Sequence, residues 1–483
     1  MVAFLLGPAL ALAQTDKIAA LNKAFGMNLK DGKTMDARWA AVDAIKGEDT
    51  PQVAEAYASA YLKLENECAP IEKQRWTNIK KADPKEVAPL RAELDPLRQL
   101  QGALIAAVRE FKNPTTLLWL VDHVVSDEKI PFNFKVAAVR AASKSEGTAN
   151  GLVAAMNKAQ KAEEIAVLLE AMAALGTKAA AAGDAVVEQL EHADVTIREK
   201  AAWALASMAV PQAIEPLIGR LSQENGRALR RMASALEILT REKLGTALDA
   251  WKSWFSDKGA SYVSGAVPLG GGKPSEGPDI LSGYFHGIPQ VGHSIVYVVD
   301  VSGSMKASMT NPRYNGPVPD PAPAGEESRM EASKKELVKA LKELPKGTMF
   351  NIVYYSFVAQ LYSPKMVEAN DAKIKDAIKF VEGLAAEGAT NIYEAMEVAF
   401  SLAGRGTIDR YYDLKVETVF LLTDGEPQLP NGVEDSTDRI IEGVRMWNPL
   451  KKVVVHSIAM GKDTNDLFLR QLASENSGQF AQR

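Results

Sequence analysis

Residues 297–305 read YVVDVSGSM, an apolar strand that ends in one carboxylate and then two hydroxyls at every second position. Asp300, Ser302 and Ser304 are poor strand formers, so intrinsic preference does not explain why they follow Ile295, Val296, Tyr297, Val298 and Val299. A need for their oxygens does.

From residue 292 onward the chain alternates strands with helices. The strands are SIVYVV, MFNIVYYS, TVFLLTD and VVVHSIAM, mostly unbroken apolar runs of the kind a parallel sheet requires when both its faces are covered. Between them, Met330, Leu337, Leu341 and Leu344 line one helix, for which Ser328 and Glu331 form a capping box. Ile374, Ile378, Val381 and Leu384 line a second helix, and Asn391 with Glu394 caps a third. Right-handed crossovers then give an open, doubly wound α/β sheet of Rossmann-like type, whose ligands bind beyond the carboxyl ends of the strands.

Three segments carry oxygen ligands to that edge: DVSGS (300–304), GATN (388–391) and LLTDGEP (421–427). If their strands are neighbours, Asp300, Ser302, Ser304, Thr390 and Asp424 converge into a hard-oxygen cage for a divalent cation, Mg²⁺ or Mn²⁺. Gly303 lets the turn bring both serine hydroxyls inward. The plainer alternative is that the serines only cap a following helix and Asp424 only forms a turn.

This pattern, DxSxS after a buried strand, a threonine in a Gly-rich loop before a helix and an aspartate in a TDG turn, resembles the metal-ion-dependent adhesion site (MIDAS) of von Willebrand factor type A (vWA) domains. The resemblance spans nearly all of 292–483. It implies that Ser302, Ser304 and Thr390 contact the metal directly, that Asp300 and Asp424 act mainly through water, and that a partner's acidic side chain completes the coordination. On that basis Asp424→Ala is expected to abolish metal binding while leaving the metal-free domain folded. Two departures stand out: a Pro-rich insertion at 306–328, expected to be flexible, and a chain that reaches GQFAQR with a short final helix or none. Lys306, beside the motif, reads as a solvated surface residue.

Upstream, GAVPLGGGKPSEGPD loses periodicity, and 259–291 reads as a Gly/Pro-rich linker. Trp251, Trp254 and Phe255 share one helical face and read as a capping surface for what precedes them. Over 112–258 the sequence repeats. Val136/Val139/Ala142, Leu169/Met172/Leu175, Ala202/Leu205/Met208 and Ala233/Leu236/Leu239 are equivalent triplets offset by 33, 33 and 31 residues. Each lies on the second helix of a pair, and such pairs must stack to bury their apolar faces. The helices AAWALASMA and MASALEILT resemble the short HEAT-like repeats common in bacteria, so the fold class is multidomain: an all-α HEAT-like solenoid followed by the α/β domain.

Residues 14–111 are helical, with Pro70, Pro84, Pro89 and Pro96 expected at helix starts or turns, and carry no evident chemistry. Residues 1–13 form an apolar stretch ending Ala11-Leu12-Ala13, which reads as a signal peptide cleaved before Gln14, although the first lysine is Lys17.

At 483 residues, 47% hydrophobic and 24% charged, the chain is globular and multidomain. A formal net charge of −5, with basic residues interspersed among acids, removes the electrostatic basis for nucleic-acid binding. The single cysteine, Cys68, cannot form an intrachain disulfide and reads as an inert helical residue; five scattered histidines offer no zinc spacing. No unbroken apolar run reaches the roughly 20 residues of a membrane span. The expected function is non-enzymatic: an exported (periplasmic, cell-surface or secreted) binding, adhesion or scaffold protein that captures a partner's Asp or Glu carboxylate through the cation, with room for a second partner on the solenoid. The alternative, if the N-terminus is not a signal, is a cytoplasmic adaptor of an AAA+ ATPase in metal insertion or complex remodelling. An enzyme using Asp300 as nucleophile is disfavoured, because Ser302 stands where a haloacid-dehalogenase pattern has a second aspartate and no general base is placed.

Overall fold

The computed structural model describes the chain except residues 1–5, 27–33, 81–83, 126, 225, 271–283, 291–293, 311–319, 404–415, 425–426, 429–433 and 463. Parts of the expected signal peptide, linker, insertion and TDG turn therefore lie outside the described residues. The chain divides into two compact units, Met1–Cys68 with Leu94–Gly277, and Ala69–Glu93 with Pro278–Arg483.

The first unit is helical. All twelve residues of the repeating triplets are buried, on helices Phe132–Ala142, Ala162–Leu175, Val195–Met208 and Gly226–Thr240. Ion pairs join successive repeats: Lys135 to Glu164 at 2.6 Å, Arg140 to Glu170 at 2.9 Å, Lys200 to Glu170 at 2.6 Å and Arg198 to Glu224 at 2.6 Å. Burial opposes ionisation of Glu170, but Lys200 and Arg140 outweigh it and bring its carboxyl down to about 2. The stretch 162–191 is apolar enough to cross a membrane by length and composition. It is nevertheless broken at Gly176, where φ is +61°, and 56% of its most apolar window is buried inside the unit.

Trp251 is fully buried, stacks edge-on to Trp254 at 5.7 Å and donates its indole N–H to the Gly245 carbonyl at 2.8 Å. Cys68 is buried as a thiol on helix Pro51–Lys80. The prolines correct one expectation. Pro84 does begin a helix, Pro84–Arg109, but Pro70 lies inside Pro51–Lys80, and Pro89 and Pro96 inside Pro84–Arg109. A proline forfeits one backbone bond at about 3 kcal/mol, a cost that helices of 30 and 26 residues can absorb through the packing of their other turns.

The second unit is built on one mixed sheet of strands β1 Ser294–Asp300, β2 Met349–Tyr355, β3 Ala359–Leu361, β4 Val367–Glu368, β5 Thr418–Thr423, β6 Val454–Ala459 and β7 Phe480–Gln482. The order is β3-β2-β1-β5-β6-β7, with β4 also on β2. Pairs β1/β2, β1/β5, β5/β6 and β6/β7 are parallel, whereas β3 and β4 run antiparallel to β2. The antiparallel edge has no counterpart in the sequence reading, because AQL and VE are too short to show alternation. GQFAQR, in contrast, supplies β7 after helix Asp466–Glu475.

Alternate residues of β1 feed two cores. Val296 and Val298 pack with helices Ile392–Leu402, Thr437–Trp447 and Asp466–Glu475; Ile295, Tyr297 and Val299 pack with Arg329–Lys342 and Asp371–Gly383. The hairpin of Tyr284–Phe285 with Ile288–Pro289 adds Phe285 to the second core, edge-on to Tyr297 at 5.2 Å and Phe420 at 5.4 Å.

Residues 69–93 belong to this unit through a buried charge cluster. Arg75 pairs with Glu397 and lies 3.8 Å from Glu394, while Arg91 reaches Glu394 at 3.4 Å and sits 5.5 Å over the Tyr393 ring.

The connection goes from β1 to β2 on one side and then to β5 on the other. The sheet's direction therefore switches beside β1, and a crevice opens at the carboxyl ends of β1 and β5.

Candidate functional site

Strand β1 delivers Asp300 to that crevice as its last residue, fully buried. Its Oδ1 accepts the Ser302 backbone N–H at 2.8 Å, which turns the chain back on itself. Its Oδ2 accepts the hydroxyls of Thr423 at 2.8 Å and Tyr355 at 3.2 Å, from the two flanking strands. Ser302 then precedes a short 3₁₀ turn, Gly303–Lys306, without donating or accepting a side-chain capping bond. The Ser302 hydroxyl instead meets the Ser304 hydroxyl at 3.0 Å, and Ser304 donates to Asp424 Oδ1 at 2.8 Å. Capping thus does not account for the serines, and their oxygens line up toward Asp424.

Asp424 follows the last residue of β5 and is buried. The GATN loop is stitched against the serine turn by backbone bonds, Gly303 N–H to Gly388 O at 2.9 Å and Glu387 N–H to Val301 O at 2.7 Å. Gly388 adopts φ +92° beneath the Phe357 ring, where a Cβ would stand 2.7 Å from ring carbons, so glycine is required on both counts. Thr390 is 4% exposed, and its carbonyl accepts the Gln428 N–H at 2.8 Å. Asp300, Ser302, Ser304 and Asp424 form one continuous chain of contacts. The Thr390 hydroxyl has no hydrogen bond to that chain among the described residues, although its loop is tied to the turn.

Two buried carboxylates in one crevice raise each other's cost of ionisation. Burial, and then the Asp424 charge, push Asp300 up to about 7. Burial raises Asp424 too, against the opposing pull of the Arg329 guanidinium and the Ser304 hydroxyl. A cation placed among these oxygens would reverse both shifts.

The donor set suits a hard divalent ion. Neutral hydroxyl oxygens beside two carboxylates are the donors that Mg²⁺ or Mn²⁺ would prefer, with Ser302, Ser304, Thr390, Asp300 and Asp424 the residues that would hold the ion. Among the described residues no three Asp, Glu, His or Cys side chains cluster as metal ligands.

Arg329 is the residue that sequence reasoning missed. Its Nη1 donates to Asp424 Oδ2 at 2.8 Å, and both side chains are buried. The signal was available: Arg329 opens helix Arg329–Lys342 behind the Ser328/Glu331 capping box, and a cation at a helix N-terminus opposes the dipole unless something else holds it. With this pair in place, Asp424→Ala would also strand a buried guanidinium.

The Pro-rich insertion of 306–328 is described at both ends. Its ends are tied to the serine turn by a Ser308–Ser328 bridge and by Arg329 N–H to Ala307 O at 2.9 Å, Met309 N–H to Glu327 O at 3.0 Å and Ala322 N–H to Lys306 O at 2.8 Å. Lys306 itself is exposed, as expected. A groove of about 680 Å³ runs alongside, lined by Val301, Tyr354, Phe380, Leu384 and Glu387 among others, and none of the five oxygen-bearing residues lines it.

The α/β unit is similar to known proteins. Residues 324–481 match the family model of the von Willebrand factor type A domain. Over 207 residues the chain is 28% identical to inter-alpha-trypsin inhibitor heavy chain H3 of Bos taurus, covering 41% of this chain and 20% of that protein. Over 210 residues it is 25% identical to heavy chain H4 of Homo sapiens, with 41% and 20% covered. The chain thus spans about a fifth of the length of these relatives. A solved von Willebrand factor type A structure from Catenulispora acidiphila aligns with a TM-score of 0.31 at 18% identity, over 39% of this chain and 38% of that one.

Proposed function

We propose that the α/β unit, which contains a von Willebrand factor type A domain, is a protein-binding module that captures an acidic side chain of its partner through a divalent cation. Ser302, Ser304 and Thr390 would offer neutral oxygens to the ion, and Asp300 and Asp424 would balance its charge. The observation that carries this reading is the line of oxygens from Ser302 through Ser304 to Asp424, at 3.0 and 2.8 Å, assembled from two neighbouring strands at the switch in sheet direction. The bound ion would supply Lewis-acid attraction for a carboxylate. The protein's part is to orient the hydroxyls with Gly303 and Gly388, and to fix Asp300 with Thr423 and Tyr355.

This role needs no covalent chemistry, and the unit is read as a binding module rather than an enzyme. Mg²⁺ suits the donor set, and Mn²⁺ is accepted by the same ligands. The first inter-alpha-trypsin inhibitor relatives support the reading by similarity of this domain alone. The solenoid offers a surface for a second partner, and the apolar start of the chain supports export, with a mature terminus at Gln14.

The test is capture of partners by the purified full-length chain in Mg²⁺ and in EDTA. Proteins that bind in Mg²⁺, leave in EDTA and fail to bind Ser302→Ala support the reading. A partner set indifferent to both treatments contradicts it. Full-length protein retained in the cytosol with its first residues intact would contradict export.

A further inference from the structure

We infer that Arg329 is a fixed counter-charge that makes the site take up a divalent cation and a carboxylate together rather than the cation alone; this rests on the metal-bridged reading above. The guanidinium is built in. Arg329 and Asp424 are each 1% exposed and are joined at 2.8 Å. The Arg329 backbone N–H donates to Ala307 O at 2.9 Å, and its carbonyl accepts the Ser333 hydroxyl at 2.7 Å, so both ends of the residue are held. Gly461, at φ +105°, provides the seat: a Cβ there would lie 2.9 Å from the guanidinium nitrogens Nε and Nη2. The position also opposes the helix dipole, a cost that Asp424 offsets.

The charge count gives the consequence. With both ionised, Asp300 and Asp424 carry two negative charges, and Arg329 cancels one. A divalent ion then leaves the buried cluster at one net positive charge, and an incoming carboxylate restores neutrality. Without Arg329 the ion alone would neutralise the cluster, and the carboxylate would add an uncompensated charge. Arg329 therefore weakens the first step and strengthens the second. Because coupling is reciprocal, a carboxylate must tighten the metal by the same factor as the metal tightens the carboxylate.

The probes are Mg²⁺ and acetate. Metal-free full-length chain is titrated with Mg²⁺ by calorimetry, in sodium chloride and in sodium acetate of equal ionic strength, with free Mg²⁺ corrected for acetate. For the wild type, acetate should tighten Mg²⁺ by at least about fivefold, the lower end of the usual range of coupling. Arg329→Gln should bind Mg²⁺ at least about tenfold more tightly in chloride and lose most of the acetate effect, while Arg329→Lys keeps the charge and the wild-type pattern. Arg329→Gln binding no more tightly than wild type overturns the inference and leaves the metal-bridged reading standing, whereas wild-type Mg²⁺ affinity indifferent to acetate overturns both. No Mg²⁺ binding by any of the three overturns both. If circular dichroism shows Arg329→Gln unfolded, the wild-type acetate comparison decides.

Discussion

The Arg329 guanidinium and the Ser304 hydroxyl each donate to a different oxygen of the Asp424 carboxylate, both at 2.8 Å. Asp424 is thus the hinge between a permanent cation and the hydroxyl chain. Substituting it tests more than metal binding. In EDTA, Asp424→Ala leaves the buried guanidinium without its anion and is expected to destabilise the chain by about 3–5 kcal/mol. Asp424→Asn, which keeps an acceptor for Ser304, should cost less, about 1–3 kcal/mol. Thermal unfolding of both variants checks this, and two variants that melt with the wild type would show that the pair is not formed.

Thr423 holds Asp300 from the neighbouring strand by its hydroxyl at 2.8 Å. Thr423→Val preserves shape and removes that donor. The expected effects are a loss of about 1–3 kcal/mol in the metal-free chain and roughly tenfold weaker Mg²⁺ binding, since the carboxylate is no longer oriented. Unchanged Mg²⁺ affinity by calorimetry would show that Asp300 is positioned without Thr423.

What the sequence could reveal followed physical periodicity. Strand β1, its helices and their caps were legible because apolar runs and the Ser328/Glu331 and Asn391/Glu394 pairs act locally, and the structure contains both caps. The repeat triplets were legible for the same reason. The hairpin carrying Phe285 was not, since two-residue strands show no alternation and its burial comes from Tyr297 and Phe420, far along the chain. Nor was the role of 69–93, where Arg75 and Arg91 look like solvated helix charges until Glu394 and Glu397 meet them more than 300 residues later. The oxygen-bearing residues were visible as a motif, and Arg329 was visible as an unfavourably placed helix-start cation, but its pairing with Asp424 was not. Arg329 is brought there by tertiary structure.

His456 gives the α/β unit a pH response. Burial holds its imidazole at about 4, below the usual 6.5, and its Nδ1 accepts the Gln479 N–H at 2.9 Å, which needs the neutral ring. Between these values the unfolded chain binds the extra proton, so this contribution to stability is present above pH 6.5 and lost as pH falls toward 4. The loss amounts to roughly 3 kcal/mol at most. Urea unfolding of wild type and His456→Gln across that range should converge as the pH drops, and parallel curves would rule out a buried neutral histidine.

Arg75 tests the charge cluster independently of metal. Its guanidinium is buried against Glu397 and Glu394, so Arg75→Ala leaves two carboxylates short of a partner and is expected to cost about 3–5 kcal/mol, equally in EDTA and in Mg²⁺. Thermal melts in the two buffers check it. A loss confined to Mg²⁺ would mean that the cluster serves the metal site instead.

The most direct test of the metal-bridged account uses the neutral ligands, whose removal takes away no buried charge. Full-length wild type and Ser302→Ala/Thr390→Ala, both stripped with EDTA, are melted with increasing Mg²⁺. The account expects the wild-type transition to rise with Mg²⁺ according to the ratio of free metal to Kd, and the double variant to melt at a constant temperature. A double variant that rises as much as the wild type, or a wild type that does not rise at all, would contradict it.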